Sequence, residues 1–233
     1  MLNIESVTRI ENKYFITTNK KLELIKKLSE VLTEDSFGEK GYYSVRSVYF
    51  DRENCQDYLD KINHNEVRKG IRLRIYSPFD SNAKLELKFK NNDIQEKMSL
   101  KIKKSDAEEL LNSNYEILKK YDGEIAKMFY IFLAEGKYKP NTTIAYNRKA
   151  FKSESSKIRI TIDSNLQYSN NNFNIWNENL YFDTLLGTNE HILEVKVKAD
   201  NQLEQLNEII YPLEVLELPA SKYKRCCKFL KFK

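Results

Sequence analysis

Period-two alternation of apolar and charged side chains is the sequence feature that most restricts the fold of this chain. In residues 70–76, Arg72 and Arg74 alternate with aliphatic side chains, and residues 85–90 repeat the alternation. Successive side chains of a β-strand point to opposite faces, so each segment is predicted to be a strand with one apolar and one charged face. The fold must therefore provide a place for the charged faces as well as for a core.

Six further segments alternate in the same way, and helix-like stretches separate some of them. The eight predicted strands are residues 8–16, 45–51, 70–76, 85–90, 94–103, 144–151, 157–163 and 191–198. The predicted helices are residues 19–32, a helix capped by Ser105, and residues 122–135, 202–210 and 221–232. This order predicts an antiparallel sheet with inserted helices, which is an α+β fold.

The charged faces are dominated by Arg and Lys, whereas a strand face that contacts water usually mixes charges with Ser, Thr and Gln. A two-sided sheet in water stays open as an interpretation. The alternative is a closed eight-stranded antiparallel β-barrel, a tunnel with flanking helices outside and the charged faces lining its lumen. Crowded cations in a lumen repel one another unless a polyanion is bound, and phosphate groups match Arg side chains. The few carboxylates on these faces would hold a divalent metal or orient the cations, and they are Glu11, Glu86, Asp163 and Glu194.

Length and composition predict one domain over residues 1–233. The 39 basic and 34 acidic side chains give a net charge of +5, too small an excess to indicate a nucleic-acid partner. Three cysteines, no signal pattern and no apolar run near the roughly 20 residues of a membrane span favour a cytoplasmic location. No P-loop motif occurs, and the Asn-rich residues 164–179 are predicted to be a surface excursion.

An ordered set of short motifs resembles one enzyme family. The motifs are R-I-E-N-K-Y, S-V-Y-F-D, R-L-R, E-L-K, Y-N-R-K-A-F, R-I-T-I-D, I-L-E-V-K and S-K-Y, from about residue 7 to 229. Together they resemble the catalytic domain of the vacuolar transporter chaperone (VTC) polyphosphate polymerases, in the triphosphate tunnel metalloenzyme superfamily. The resemblance implies a tunnel that binds ATP, polyphosphate and a divalent metal, Mn²⁺ or Mg²⁺, and that transfers the γ-phosphate of ATP to a polyphosphate chain.

Carried over position by position, the resemblance also implies roles for individual residues. The cations implied to act on the triphosphate, from two sides, are Lys13, Arg72, Arg74, Lys88, Arg148, Arg159 and Lys196. Further implied substrate-binding residues are Lys90, Lys97, Lys101, Lys198, Lys222 and Tyr146. Glu194 matches the metal-binding glutamate of the family, and Glu11 and Glu86 are further metal candidates.

Two departures from the family pattern affect the functional prediction. Arg9 stands where the triphosphatase branch has a glutamate, which counts against a plain triphosphatase. The sensing domain and membrane segments of the fungal proteins are not found, so product export is expected to need a membrane-protein partner. An inorganic triphosphatase or polyphosphatase and a non-catalytic sensor of polyphosphate or inositol phosphates remain alternatives, and the oligomeric state stays open.

Overall fold

The computed structural model describes residues 9–35, 41–92, 94–153, 158–198, 216–217 and 222–231. Its contacts divide the chain into two compact units. Unit A comprises Met1–Ser44, Tyr146–Leu166 and Leu186–Pro219, and unit B comprises Val45–Ala145, Gln167–Leu185 and Ala220–Lys233. These ranges divide three of the strands, which are described in each unit by the residues that belong to it.

Eleven strands and five α-helices are found in the described residues. The strands are β1 (Arg9–Thr17), β2 (Thr33–Glu34), β3 (Tyr43–Asp51), β4 (Val67–Ile75), β5 (Asn82–Asn91), β6 (Ile94–Lys103), β7 (Lys139–Lys152), β8 (Arg159–Ser169), β9 (Asp183–Thr184), β10 (Glu190–Lys198) and β11 (Leu216–Glu217). The helices are α1 (Thr18–Val31), α2 (Gln56–Ile62), α3 (Lys104–Leu111), α4 (Glu124–Tyr130) and α5 (Lys222–Lys231). Short 3₁₀ turns occupy Glu53–Cys55 and Tyr115–Lys120, and a π-helical turn, Ile131–Glu135, follows α4.

Unit A places its strands in the order β11-β1-β10-β8-β7, with β2 beside β7. Strands β1 and β10 pair antiparallel from Arg9 opposite Lys198 to Thr17 opposite Glu190. The apolar faces of β8 and β10 pack with α1, whose Leu24 and Leu28 are fully buried. This core leaves the alternate side chains of β1, β8 and β10 for the charged face.

Unit B places its strands in the order β3-β4-β5-β6. Aliphatic side chains of these strands share one core with residues of α3 and α4. Ile175 and Trp176 belong to this core, and Trp176 Nε1 donates a hydrogen bond of 2.8 Å to the Asp80 carbonyl oxygen. The predicted surface excursion at residues 164–179 is therefore wrong in part, because β8 continues through Ser169 and two later apolar side chains are buried.

The eight predicted strands correspond to the eight strands of nine or more residues, and the α+β antiparallel class is confirmed. The predicted closure into a barrel is not found, because neither strand order returns to its first strand within the described residues. The physical reason is that alternation fixes which face a side chain occupies and gives no information on which strand edges pair. The sheet is open.

Helix boundaries differ from the predicted ones where the cap was inferred from sequence. The helix predicted to be capped by Ser105 begins at Lys104, with Lys103 at the cap position and no capping hydrogen bond from its side chain. The predicted helix at residues 122–135 is α4 with its π-helical extension. The one predicted at 202–210 lies outside the described residues.

His191 of β10 makes the stability of the fold dependent on pH. Its side chain is buried, its Nε2 lies 3.0 Å from Thr18 Oγ1, and burial and the Lys21 charge lower its pKa from 6.5 to about 4. Because the unfolded chain binds the proton more readily, stability that is present above pH 6.5 is lost as the pH falls toward about 4.

Between about pH 7 and about pH 5 we expect the melting temperature of wild type to fall several degrees further than that of His191→Gln. The exposed His64, changed to Gln, is the matched control and should follow wild type; an equal fall in all three proteins would contradict the prediction.

Candidate functional site

Two guanidinium groups held by one carboxylate lie on the charged face of β4 and β5 in unit B. Arg72 stands opposite Glu86 in the strand register, and Arg72 Nε donates to Glu86 Oε2 at 2.7 Å. Arg74 Nη1 lies 3.5 Å from the same oxygen. The side chains of Arg74 and Glu86 are only 9% and 11% exposed. A single carboxylate thus holds two cations side by side, and the group keeps a net positive charge.

The neighbouring strand β3 fixes the orientation of the same two guanidinium groups. Arg72 Nη1 donates to the Tyr49 hydroxyl and Arg74 Nε donates to the Ser47 hydroxyl, each at 3.3 Å. The register of β3 and β4 accounts for both contacts, because Tyr49 stands opposite Arg72 and Ser47 opposite Arg74. Donors that are oriented before a ligand arrives need no reorganisation when charge develops on it.

The pKa shifts in this group reflect a positive local potential. Burial raises the pKa of Glu86, but the charges of Arg72 and Arg74 outweigh it, and the net pKa is below its usual value. For the Tyr49 phenol, burial also raises the pKa, yet the two guanidinium groups and the Lys222 ammonium lower it further than burial raises it. A potential that stabilises these anionic forms also favours a bound anion.

Lysines extend this positive face from β4 across β5 and β6. Directly opposed residues of an antiparallel pair point to the same face, so the register defines rows that cross the three strands. Two such rows are Gly70–Lys88–Lys97 and Arg74–Lys84–Lys101. The predicted binding residues Lys88, Lys97 and Lys101 are exposed, and Lys90 is half-buried opposite Arg68. Lys84 was missed by the sequence analysis, although its alternation with Glu86 and Lys88 was a usable signal.

On strands β1 and β10 of unit A, two lysines and two glutamates form a network of ion pairs. The register places Glu11 opposite Lys196 and Lys13 opposite Glu194. Lys196 Nζ lies 2.6 Å from Glu194 Oε1 and 3.7 Å from Glu11 Oε2. Lys13 Nζ contacts Glu11 and lies 3.7 Å from Glu194 Oε1. Because each ammonium is shared, either lysine can turn toward an added anion while both carboxylates keep a cationic neighbour.

Arg148 of β7 forms the most buried ion pair of unit A among the predicted residues. Its Nε and Nη2 donate to the two carboxylate oxygens of Asp163 at 2.6 and 2.8 Å, and Asp163 is fully buried. Arg148 Nη2 also lies 3.7 Å from Glu194 Oε2, and the Tyr146 ring centroid is 5.2 Å from the guanidinium carbon. Burial alone would lower the pKa of Arg148, but Asp163 raises it well above its usual value.

Arg159 of β8 is held by two residues that the sequence analysis did not select. Its Nη2 lies 2.8 Å from Asp35 Oδ2 and donates to the Tyr43 hydroxyl at 3.3 Å. Asp35 is 4% exposed, whereas the Arg159 side chain is 41% exposed and can reach a ligand. Neither Asp35 nor Tyr43 lies in a predicted strand, so alternation provided no signal for them.

Helix α5 brings the predicted residue Lys222 to the arginine group of unit B. The Lys222 charge acts on the Tyr49 phenol, and the next residue, Tyr223, stacks on Tyr49 with ring centroids 4.9 Å apart and planes 9° apart. The Tyr223 hydroxyl donates to the buried carboxylate of Asp51 at 2.5 Å.

The predicted residue Lys198 is the last residue of β10 in unit A and stands opposite Arg9 in the register. Its side chain lies outside the described ones.

The candidate metal ligands fit a cation that is held partly by phosphate. Within the residues that the structure describes, no group of three or more His, Cys, Asp or Glu side chains is placed to hold a metal ion. Glu86 contacts Arg72 and Arg74, whereas Glu11 and Glu194 occur together in unit A. Mg²⁺ and similar hard cations are commonly bound by one or two carboxylates together with substrate phosphates. Glu11 and Glu194 fit that mode, and a site of protein ligands alone does not.

Comparison with known proteins identifies a family and a fold. The VTC domain family model matches residues 8–231. The fold is similar to that of a Bacillus halodurans protein proposed to be an adenylate cyclase, with a TM-score of 0.56 and 14% identity over 92% of this chain and 94% of that one. It is also similar to a Hippeastrum protein proposed to be an adenylyl cyclase and found to have a dominant triphosphatase activity, with a TM-score of 0.57 and 14% identity over 93% of each chain.

A Pyrococcus horikoshii protein matches with a TM-score of 0.50 and 15% identity over 97% of this chain and 100% of that one. At these identities the likeness shows the fold alone. No curated protein sequence matches the chain significantly. Among the helices of the described residues, none has the length and apolar character needed to cross a membrane.

Proposed function

Since the chain belongs to the VTC domain family, we propose that it is a polyphosphate polymerase that uses ATP. The observation that carries this proposal is the family match over residues 8–231. It is supported by the cation groups of the two units, in which guanidinium and ammonium groups are oriented by carboxylates and hydroxyls. We propose that both groups bind phosphate.

The proposed reaction is phosphoryl transfer from ATP to the end of a polyphosphate chain. A terminal oxygen of the chain attacks the γ-phosphorus, the bond to the β–γ bridging oxygen breaks, and ADP leaves with that electron pair. The attacking phosphate is already anionic, so no side chain has to remove a proton. Such a reaction asks a protein mainly to position the reactants and to neutralise charge.

The cation groups of the two units each suit that task. Arg72 and Arg74 present oriented donors to non-bridging phosphate oxygens, because Glu86, Tyr49 and Ser47 already fix them. In unit A, Lys13 and Lys196 can turn from Glu11 and Glu194 toward phosphate. A divalent cation, Mn²⁺ or Mg²⁺, held by Glu194 and Glu11 together with phosphate oxygens, would supply further charge neutralisation.

A triphosphatase is the second candidate function. The Hippeastrum protein, which shares the fold, has a dominant triphosphatase activity. The same cations would then bind a triphosphate while water, in place of a polyphosphate end, attacks the terminal phosphorus. Arg9 at the position of a family glutamate argues against this candidate.

Incubation of the purified protein with ATP and Mn²⁺ tests the proposal. We expect ADP together with chains that give internal-phosphate ³¹P signals, and we expect metal chelation to stop their formation. Lys88→Ala should slow chain growth about tenfold or more, because an exposed cation of the phosphate-binding face is lost. Lys127→Met, which removes the same charge from α4, should match wild type.

The reaction products distinguish the candidate functions from one another. Orthophosphate without chains would replace the polymerase with a triphosphatase. Tight binding of polyphosphate without turnover would support a non-catalytic sensor and overturn both enzyme proposals.

A further inference from the structure

A cation from helix α2 reaches the charged face of unit B at a position where strand β4 has no side chain. Gly70 occupies the place on that face between Arg68 and Arg72. A Cβ built on Gly70 would lie 2.9 Å from Lys61 Nζ and 3.7 Å from Lys61 Cε. The Lys61 ammonium therefore stands where a β4 side chain would otherwise begin.

The position of Gly70 in the register relates Lys61 to the predicted phosphate-binding residues. Gly70 stands opposite Lys88, and Lys88 stands opposite Lys97. Neighbouring strands of a sheet are about 4.8 Å apart, so the ammonium of Lys61 starts a row of cations across β4, β5 and β6. The next position of β4 on the same face is Arg72.

The ammonium of Lys61 is held in this place by an aromatic ring that is itself fixed. Lys61 Nζ lies 5.3 Å from the centroid of the Tyr223 ring, a distance that allows a cation–π interaction. Tyr223 is fixed on one side by its hydrogen bond to Asp51 and on the other by stacking on Tyr49. Lys61 thus contacts Tyr223, and the stacking partner of that ring, Tyr49, contacts Arg72.

The charge balance around Lys61 points to an anionic ligand. Within the described part of the chain, no carboxylate forms an ion pair with Lys61, whereas the helical lysines Lys119 and Lys127 each pair with a glutamate, at 2.6 and 3.0 Å. Placing a further ammonium beside Lys88 and Arg72 is electrostatically unfavourable in the absence of an anion. An ammonium that an aromatic ring orients, and that no carboxylate of the described residues neutralises, is the arrangement expected where a phosphate binds.

We propose that Lys61 is a phosphate-binding residue, and that Lys61, Lys88 and Lys97 form a subsite for one phosphate of the chain beside Arg72. The inference rests on the proposed function and deepens it, because it adds a helix residue to a site otherwise built from strands. Gly70 is part of the subsite, since it leaves the space that the ammonium occupies.

Titration of the purified protein with inorganic tripolyphosphate tests the subsite directly. Lys61→Met removes the charge and keeps most of the stem, and we expect about tenfold weaker binding, as for one lost charge-assisted contact. The slope of log Kd against log salt should become smaller, because one cation fewer interacts with the charged ligand. A residue that only supports packing would change the melting temperature and leave this slope unchanged.

Two further variants complete the design. Gly70→Val keeps the charge of Lys61 but fills its place, so it should also weaken binding, and it tests the proposal if Lys61→Met does not fold. Lys127→Met is the matched control and should bind as wild type. Binding by folded Lys61→Met with the affinity and salt slope of wild type would overturn the subsite alone. Failure of wild type to bind tripolyphosphate would overturn the proposed function and the subsite together.

Discussion

Arg148→Met is expected to destabilise the protein by about 3–5 kcal/mol, because it removes the guanidinium that neutralises a fully buried carboxylate. Asp163 is fully buried and accepts two hydrogen bonds from the Arg148 guanidinium, at 2.6 and 2.8 Å. Urea denaturation of wild type and variant measures the loss.

The double variant Arg148→Met with Asp163→Asn separates stability from function. Removing both charges should restore most of the stability, because the buried negative charge is removed together with the guanidinium that neutralises it. Phosphate transfer should stay reduced by a factor on the order of 10², because the guanidinium is still absent. Recovery of turnover in the double variant would mean that Arg148 only balances Asp163. Wild-type stability of the single variant would contradict the buried ion pair itself.

The contacts of the candidate carboxylates refine how the site is built. The sequence left two roles open for them, holding a metal or orienting cations. In the described structure Glu86 and Asp163 are in contact with guanidinium groups, and Glu194 and Glu11 share two lysines. Each of the four carboxylates therefore orients at least one cation. We propose a metal role only for Glu11 and Glu194, the two glutamates of unit A.

Alternation predicted those parts of the candidate site that lie on long strands. Arg72, Glu86 and Lys88 follow directly from period two, because a strand side chain is assigned to a face by its number alone. Lys61 does not follow, since the side chain of a helix residue reaches a strand face only through tertiary packing. Gly70 belongs to the proposed subsite because it has no side chain, and a pattern of side-chain types gives no signal for that.

Residues outside the long strands also could not be predicted from a local sequence pattern. Asp35 follows the two-residue strand β2 and is buried beside Arg159, a long-range contact that no local pattern encodes. Trp176 lies in an Asn-rich segment whose composition predicts a surface loop, yet its ring is buried and its nitrogen is hydrogen-bonded. Burial of a few apolar side chains outweighed the polar composition around them.

Arg72→Lys is expected to lower turnover by a factor on the order of 10², although it preserves the charge. The guanidinium of Arg72 donates to Glu86 and to Tyr49 through different nitrogens, at 2.7 and 3.3 Å, so its planar fork of donors is held in one orientation. A lysine ammonium is a point charge that cannot keep both contacts and present two parallel donors to a ligand. Stability should change by less than about 1 kcal/mol, because the ion pair with Glu86 can persist. Steady-state kinetics with ATP, read as kcat and KM separately, measure the effect.

The matched control is Arg46→Lys, on the opposite face of β3. Arg46 Nη1 donates to the carbonyl oxygens of Ile175 and Asn177 at 3.0 and 2.7 Å, so the same substitution removes comparable hydrogen bonds away from the cation group. It should lower stability and leave turnover per folded molecule unchanged. If Arg72→Lys instead retains the kcat of wild type and only raises KM, then Arg72 attracts the substrate by charge and its oriented donors do not act on the transferred phosphate. That outcome would leave Arg74, the more buried of the two guanidinium groups, as the residue that contacts the transferred phosphate.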